Sequence, residues 1–540
     1  MALPIDPSIP SAGSILQEIQ PTIPQSPSSN NNGIKIDEID INQFPDSNPF
    51  KVEKIAIQGN KSIETQTLHA LIQDKEGQDL TLRQLGELAS LITRYYHAHN
   101  YPLAVAVIPA QEIKDGIVVL QVLEASYGKV LLENKSKLHS VLLNSNLARL
   151  KSGELITGDQ LNKTLLLLND IPGINVNTEV KQGELSGTSD FNITTTDAKV
   201  WRASMSAANS GSASIGRMRE NANLDILNPL GLGDTLNISG MTAGSGMNYG
   251  RASYELLVNG QGTRVGAAYS DLYYKLGKQY QSIDAHGTAE NVSLWARHPL
   301  MRSLDFNVSA QAEVDRVVLK DHIDLINAKT DRTLNHGILT LSGDRRDHLW
   351  LGGINLFNIS LTSGKLGFDN NTAQFMDRFT AKTQGSFSKI NASLSRLQQL
   401  GGAFSLYGMV SGQWTNSNLD ASQKMVIGGP YSVRAYDVSA LSGDEGKSTT
   451  IELRKDFPSS LGFWQATAFY DAAHISINHT LWTNGINEAT LQGIGLGLGW
   501  QSSNQWSAHI TVAKPVGHES SLLSPASIGT RAWAEVRKDF

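Results

Sequence analysis

Four groups of residues in this 540-residue chain have types that could do chemistry. Asp471, His474 and Ser476 carry the residue types of a hydrolase triad, in which a carboxylate orients a histidine that takes a serine proton. They crowd into one strand, however, and no oxyanion element accompanies them. His97 and His99 end a helix without a Glu-x-x-His context, so capping or solvation accounts for them better than metal. Gly446-Lys447-Ser448 ends like a phosphate loop, but Leu441 stands where that loop needs glycine. The fourth group is electrostatic. Gly428-Gly429-Pro430-Tyr431-Ser432-Val433-Arg434-Ala435-Tyr436 is a hairpin loop too stiff to be a floppy connector, with one arginine near its tip. Phe469-Tyr470-Asp471 ends an alternating strand: Phe463, Gln465, Thr467, Phe469 and Asp471 share one face, and Trp464, Ala466, Ala468 and Tyr470 the other. If the Trp/Ala/Tyr face meets lipid, Asp471 points inward. An inward carboxylate and a loop arginine then suggest a loop folded back inside a barrel and latched by charge. The plain alternative is a surface loop with a solvated arginine. No catalytic residue, cofactor or metal is expected.

The elements that would position this pair are strands. Beyond Val200 helical periodicity disappears. Leu304, Phe306, Val308, Ala310, Ala312 and Val314 alternate with Asp305, Asn307, Ser309, Gln311, Glu313 and Asp315, one apolar face and one polar, as lipid on one side and water on the other require. The remaining ~340 residues hold about sixteen strand-plus-loop units of ~21 residues, more than one soluble sandwich needs. Ile494, Leu496, Leu498 and Trp500 alternate with Gly493, Gly495, Gly497 and Gly499. Four inward glycines weaken a strand, and the usual reason is close approach of another segment; the inserted loop is the expected one. The chain closes on Arg531–Phe540, with Ala532, Ala534, Val536 and Phe540 on one face, and Glu452–Phe457 nearly repeats Glu535–Phe540 as a related strand end.

Ahead of the strands, Pro10–Gln20 reads as one short helix with Ile15, Leu16 and Ile19 as its apolar residues. It is too short to be stable alone and must dock. The Pro-, Ser-, Asn- and Asp-rich stretch 21–49 reads as a linker. Its ~29 residues reach roughly 95–100 Å extended, well beyond the ~25 Å apolar belt of an outer-membrane barrel. From Phe50 the order is β-α-α-β-β: a strand over Val52–Ile57, a helix over Ile63–Gln73, a helix opened by the capping box Thr81-x-x-Gln84 with Leu82, Leu85, Leu88, Ala89, Ile92 and Tyr95 on one face, then strands Leu103–Pro109 and Ile117–Glu124 hinged at Asp115-Gly116. The order repeats after Ser126, with a second capping box at Thr157-x-x-Gln160 and strands near Ile174–Lys181 and Phe191–Thr196. Two consecutive units of ~75 residues are an internal repeat.

Composition narrows the class. Hydrophobic residues make up 40% and charged residues 18%, a folded protein with fewer charges than the ~25% soluble average. No apolar run suits a membrane helix. A net charge of −6 argues against nucleic acid as a partner. The chain has no cysteine, which removes disulfides and fits an exported barrel that avoids mispairing in an oxidising periplasm. Met1-Ala2-Leu3-Pro4-Ile5-Asp6 lacks the basic segment and apolar core of a signal peptide, so an exported chain is expected to be a mature form with a replacement methionine.

Several of these stretches carry a family resemblance. Val433-Arg434-Ala435-Tyr436 resembles the V-R-G-Y/F motif in loop six of the Omp85 superfamily, and Phe469-x-Asp471-x-Ala473 resembles its F-x-D-x-G partner strand. Alanine replaces glycine in both, which bears on how tightly the loop packs and leaves the charges and aromatics in place. The two α+β units resemble POTRA domains. Gln111-x-x-x-Asp115-Gly116, Leu168-Asn169-Asp170-x-Pro172-Gly173 and the hairpin Asn228-Pro229-Leu230-Gly231-Leu232-Gly233-Asp234 look like those of two-partner secretion transporters. A terminal Phe540 resembles the insertion signal of outer-membrane barrels.

The resemblance covers essentially the whole chain and implies a membrane β fold. A plug helix (1–21), a linker (22–49), POTRA domains at 50–125 and 126–199, and a sixteen-stranded transmembrane barrel (200–540) with loop six at about 425–448 are expected. It implies an outer-membrane pore with periplasmic POTRA domains that secretes a large exoprotein (a haemolysin, an adhesin or a contact-dependent inhibition toxin) bearing an N-terminal secretion domain. Lipid bilayer, lipopolysaccharide and, during biogenesis, the barrel-assembly machinery are the other implied partners, and the implied state is a monomer. The rival readings are a barrel-assembly factor of the same superfamily and a lipase-like barrel enzyme.

Overall fold

The computed structural model describes residues 9–19, 47–517, 520–523 and 529–540. Most of the expected linker lies outside the described residues. The expected N-terminal helix is α1 (Ala12–Ile19). The first α+β unit holds β1 (Phe50–Val52), β2 (Lys54–Gln58), α2 (Thr65–His69), β3 (Gln78–Leu80), α3 (Leu82–Ala98), β4 (Val105–Val107) and β5 (Ile117–Leu123). The second holds β6 (Ser126–Lys135), α4 (Ser140–Leu147), α5 (Gly158–Asn169), β7 (Ile174–Gln182) and β8 (Thr188–Asp197). Their sheets run β2-β5-β4 and β6-β8-β7, with the first strand parallel to the central one in each. The repeat is therefore one of topology, and β7 lies at a sheet edge.

Local chemistry explains where these elements depart from expectation. The Ile63–Gln73 helix shrinks to Thr65–His69 and a short 3-10 turn at Gln73–Lys75. Glu76 draws the chain back to the sheet, accepting from Ile55 N at 2.7 Å and meeting His69 Nε2 at 3.0 Å. The capping box at Thr81 forms as expected, each side chain bonding the other's backbone N–H. In α3 the buried aromatic is Tyr96, while Tyr95 stacks on His99 at the helix end. The box expected at Thr157 does not form: Thr157 makes no side-chain cap bond and Gln160 reaches the Arg149 carbonyl instead. Asn100 of the first unit supplies the cap. Its carbonyl accepts from Gly158 N at 2.9 Å and its side-chain oxygen from Asp159 N at 2.9 Å. One unit thus satisfies the orphan donors of the other's helix.

Sixteen antiparallel strands close into a barrel, the number expected. They are β9 (Trp201–Ala208), β10 (Arg219–Leu227), β11 (Thr235–Thr242), β12 (Met247–Leu257), β13 (Arg264–Lys275), β14 (Ala285–Arg302), β15 (Phe306–Ile323), β16 (Ala328–Asp347) and β17 (Gly353–Phe368). After the short helix α6 (Asn371–Phe379) come β18 (Gly385–Gly401) and β19 (Phe404–Thr415). A small hairpin of β20 (Met425–Ile427) and β21 (Leu441–Gly443) forms a separate two-stranded sheet that is not part of the wall. The wall resumes with β22 (Glu445–Ser459), β23 (Gly462–Ser476), β24 (Glu488–Gln501), β25 (Trp506–Pro515) and β26 (Arg531–Asp539), which pairs back to β9.

Alternation along β15 shows how the wall works. Ala312 and Val314 are exposed outward, while Gln311, Glu313 and Asp315 line the lumen. Past Asp315 the polarity inverts: Val317 and Leu319 are buried inward, and Arg316 and Lys320 stand exposed outward. The inversion marks the upper end of the apolar belt, because there the outside meets water and the inside meets packed protein.

The second α+β unit is seated on the barrel's turns. In Asn228–Asp234 the buried Asp234 accepts from Leu230 N, Leu232 N and the Tyr254 hydroxyl. The turn's Gly231 carbonyl accepts from His139 N at 2.9 Å. Asp170 binds Arg302 through two bonds of 2.7 and 2.8 Å, and a Cβ on Gly173 would lie 2.8 Å from the Asn228 Cβ. Two motifs far apart in sequence therefore form one joint. The contact between the two α+β units is open to test. Asn100→Gly keeps a backbone that already has φ of +74° and removes the acceptor for Asp159 N. It should cost about 1 kcal/mol, and hydrogen exchange should quicken at Asp159 while Gly158, bonded to the backbone, is spared.

Candidate functional site: the plugged lumen

Loop six turns inward from the rim far from the α+β units. β20 and β21 start it as a hairpin, and Gly428 and Gly429 turn its tip at φ of +99° and +91°, values that favour glycine. At Gly428 a Cβ would stand 2.4 Å from the Asp437 carbonyl. The Gly429 carbonyl accepts from Ser432 N, and the Tyr436 carbonyl from Gly429 N. Lys424 and the fully buried Asp444 tie the base at 2.6 Å.

This places Arg434 against Asp471. Arg434 Nε donates to one carboxylate oxygen at 2.8 Å and Nη2 to the other at 2.7 Å, and its backbone N–H adds a third bond at 3.1 Å. Asp471 is 1% exposed. The Thr450 hydroxyl donates to it at 3.0 Å. The guanidinium lies 3.4 Å over the Phe469 ring, close cation–π packing. Val433, Ala435 and Tyr436 are buried with Phe469 and Ala473 in one apolar cluster. The surface-loop alternative does not describe this loop.

Sequence reasoning missed two partners of Arg434. Glu452 takes Arg434 Nη1 at 2.7 Å and is itself bound by Arg454. Its alternation with the outward Ile451 and Leu453 was the available signal, but the stretch was read only as a strand end. Trp533 on β26 donates its indole N–H to the Arg434 carbonyl at 2.7 Å. Its inward parity was legible; its partner was not.

The four glycines of β24 behave differently from one another. A Cβ on Gly493 would meet the Ala435 Cβ at 2.5 Å, so the methyl that replaces the family's loop glycine fills space left by a wall glycine. Gly495 makes room not for the loop, as expected, but for the Phe469 ring of β23, at 2.3 Å. Gly497 and Gly499 correct the expectation: a Cβ there meets His509 or Thr511 no closer than 3.5 Å, and the loop does not reach them.

α1 fills the lumen at the same end. Ile15 and Leu16 are buried among Leu272, Tyr274, Val317, Leu319 and Leu334 of the wall, and Ile19 packs at the edge. The Ala12 N–H donates to Asp321 at 2.7 Å, and Arg332 joins Asp321 to Asp420 of loop six at 2.6 Å each. Glu18 binds Arg219 of β10 at 2.5 Å. Helix and loop touch directly, since a Cβ on Gly13 would lie 2.7 Å from Ser422 N and Gln17 bonds the Ser422 carbonyl. Beneath them lies a cavity of about 1090 Å³ lined by Gln311, Glu313, His336, Lys389 and Asn391.

The other chemical groups do not converge. Asp471 is spent on Arg434, and His474 faces the opposite side of β23, at 2.9 Å from the Thr490 hydroxyl. His97 meets the Ala104 carbonyl, and Gly446-Lys447-Ser448 lies in the ladder of β22. Phe540 is half exposed beside the closing seam, its N–H bonded to the Ala203 carbonyl.

Comparison with known proteins agrees with this architecture. Residues 187–500 match the family described as haemolysin secretion/activation protein ShlB/FhaC/HecB, and residues 50–125 match the ShlB-type POTRA domain. The chain is 29% identical over 478 residues to the heme/hemopexin transporter protein HuxB of Haemophilus influenzae (strain 86-028NP), covering 87% of this chain and 84% of that protein. It is 22% identical over 472 residues to the outer membrane transporter CdiB of Dickeya dadantii (strain 3937), covering 82% and 78%. The solved structure of CdiB from Escherichia coli shares the fold with a TM-score of 0.68 at 20% identity, over 97% of this chain and 94% of that one. The chain belongs to the ShlB/FhaC/HecB family of two-partner secretion transporters, outer-membrane barrels with periplasmic POTRA domains that secrete a partner exoprotein.

Proposed function

We propose that this transporter rests with its lumen closed by two separate elements, α1 as a removable plug and loop six as a latched internal strap, and that secretion requires the plug to leave. The observation that carries this is the double filling of one lumen, by a helix joined to the wall through the Glu18–Arg219 ion pair and by a loop held through Arg434. On this reading residues 1–21 are the plug, 22–49 its tether, 50–125 and 126–199 the cargo-capturing domains, and 200–540 the barrel. The cargo is one large exoprotein with an N-terminal secretion domain, of the haemolysin, adhesin or contact-dependent inhibition class. It crosses unfolded, and its folding outside gives the direction without nucleotide. The chain is no enzyme on this reading, works as a monomer among phospholipid and lipopolysaccharide, and reaches the membrane through the assembly machinery that reads Phe540.

Capture fits the edge strand β7. An extended segment can add to a free edge by backbone hydrogen bonds with little demand on its own sequence. Two tests separate the steps. Deleting residues 1–30 should raise conductance in planar bilayers, and unchanged conductance would mean that α1 is not the plug. Proline substitutions along 174–181 should abolish cargo binding with the barrel still inserted; retained binding would place capture elsewhere.

The latch gives a third test. Removing one member of a buried pair leaves the other charge uncompensated, on the order of 3–5 kcal/mol. Arg434→Ala and Asp471→Ala should each impair secretion, and the double variant should be little worse than either. Arg434→Lys keeps the charge but loses the two-pronged contact, so it should impair secretion as well. Cargo in the medium is the readout, with heat-modifiability as the control for folding. Defects that simply multiply in the double variant would show two independent residues and end the latch reading.

A further inference from the structure

The barrel's closing seam is short. β26 and β9 share five residue pairs, from Glu535–Ala208 to Asp539–Ser204, whereas the seams on either side hold eight each. Past Ala208 the ladder is continued by Asn209, which donates to the Ala534 and Ala532 carbonyls and accepts from Ala534 N. Nearer the extracellular rim the two sides are joined through loop six. Arg217, on the connection between β9 and β10, donates to both oxygens of Asp437 at 3.0 and 2.9 Å. Arg531, which opens β26, stands 3.8 Å from the same carboxylate. One loop acid, 14% exposed, faces cations from both sides of the seam.

The plug ends in the same cluster. Glu18 pairs with Arg219, both side chains under 5% exposed, and Arg217, two residues earlier, holds Asp437. Three arginines therefore share two acids. When α1 withdraws it takes Glu18 away, and a buried arginine left alone is costly. Asp437 is the loop acid already bound on that stretch, at Arg217, two residues before Arg219.

We propose that Asp437 is a positioning residue for secretion: it anchors loop six to both sides of the closing seam at rest, and it re-pairs with Arg219 when the plug leaves. The anchor is independent of the Arg434–Asp471 latch and gives plug departure a direct effect on the loop and the seam. The proposal rests on the reading of α1 as a departing plug, and the test keeps the two apart.

The test is open probability in planar bilayers for Asp437→Asn, Arg219→Gln and the double variant, each in the full chain and in the chain lacking residues 1–30. In the full chain Arg219 is held by Glu18, so each substitution should raise opening and the two fold-changes should multiply. In the truncated chain the residues are partners, so the double variant should go no further than the stronger single. Fold-changes that multiply in both backgrounds, or in neither, overturn the proposal. Truncation that leaves conductance unchanged overturns the plug reading instead. Heat-modifiability reports folding of every variant. If Asp437→Asn does not fold, Asp437→Ser, which also removes the charge, carries the same comparison.

Discussion

A positive charge inside a protein-walled lumen is what the rest of this structure accommodates. Arg434 enters on a loop, away from bulk water, and a guanidinium there is tolerable only with its donors spent on anions. The wall meets that need at one height: Thr450 and Asp471 are cross-strand partners on β22 and β23, and so are Glu452 and Phe469. Two acids, a hydroxyl and an aromatic face thus form one socket. The loop's own shape follows from reaching it, through two left-handed glycines at the tip and a methyl at Ala435 that fits only against Gly493.

Closure of the lumen uses a different force. α1 contributes eight residues, too few to hold a helix in water, and its order comes from apolar side chains of the wall. Those wall residues sit where β15 inverts its polarity. Without the helix, Leu272, Leu319 and Leu334 would line a wet channel, at about 25 cal/mol per Å² exposed. The plugged state is therefore held by burial and by ion pairs together, and each has partners on loop six. Gly13 against Ser422 and the chain Asp321–Arg332–Asp420 make helix and loop one packed unit.

On the periplasmic side the second α+β unit is bolted to the barrel's turns, not hung from them. Asp234 organises the first turn by taking three donors, and Asp170 reaches across to Arg302. Since Asn100 of the first unit also caps α5 of the second, the edge strand β7 is held in a defined place relative to the barrel.

Periodicity is a local property, so much of this was legible from residue order. The alternation of Phe469 and Asp471 with Ala468 and Tyr470 put the acid inward, the arithmetic of ~340 residues matched sixteen strands, and the two β-α-α-β-β runs announced their repeat. Parity says which face a side chain takes but not what stands opposite, because partners across a barrel are set by register, closure and loop descent. Glu452 and Trp533 were inward by parity, yet their meeting with Arg434 needed the loop folded down and β26 paired to β9. Gly497 and Gly499 share the pattern of Gly493 and Gly495, yet only Gly493 meets the loop, and Gly495 meets the Phe469 ring of the wall. The cap on α5 came from Asn100, not from Thr157 beside it, because a neighbouring unit can offer a carbonyl and a side-chain oxygen where a local box offers one. Face and repeat belonged to the sequence; the choice of partners belonged to the tertiary structure.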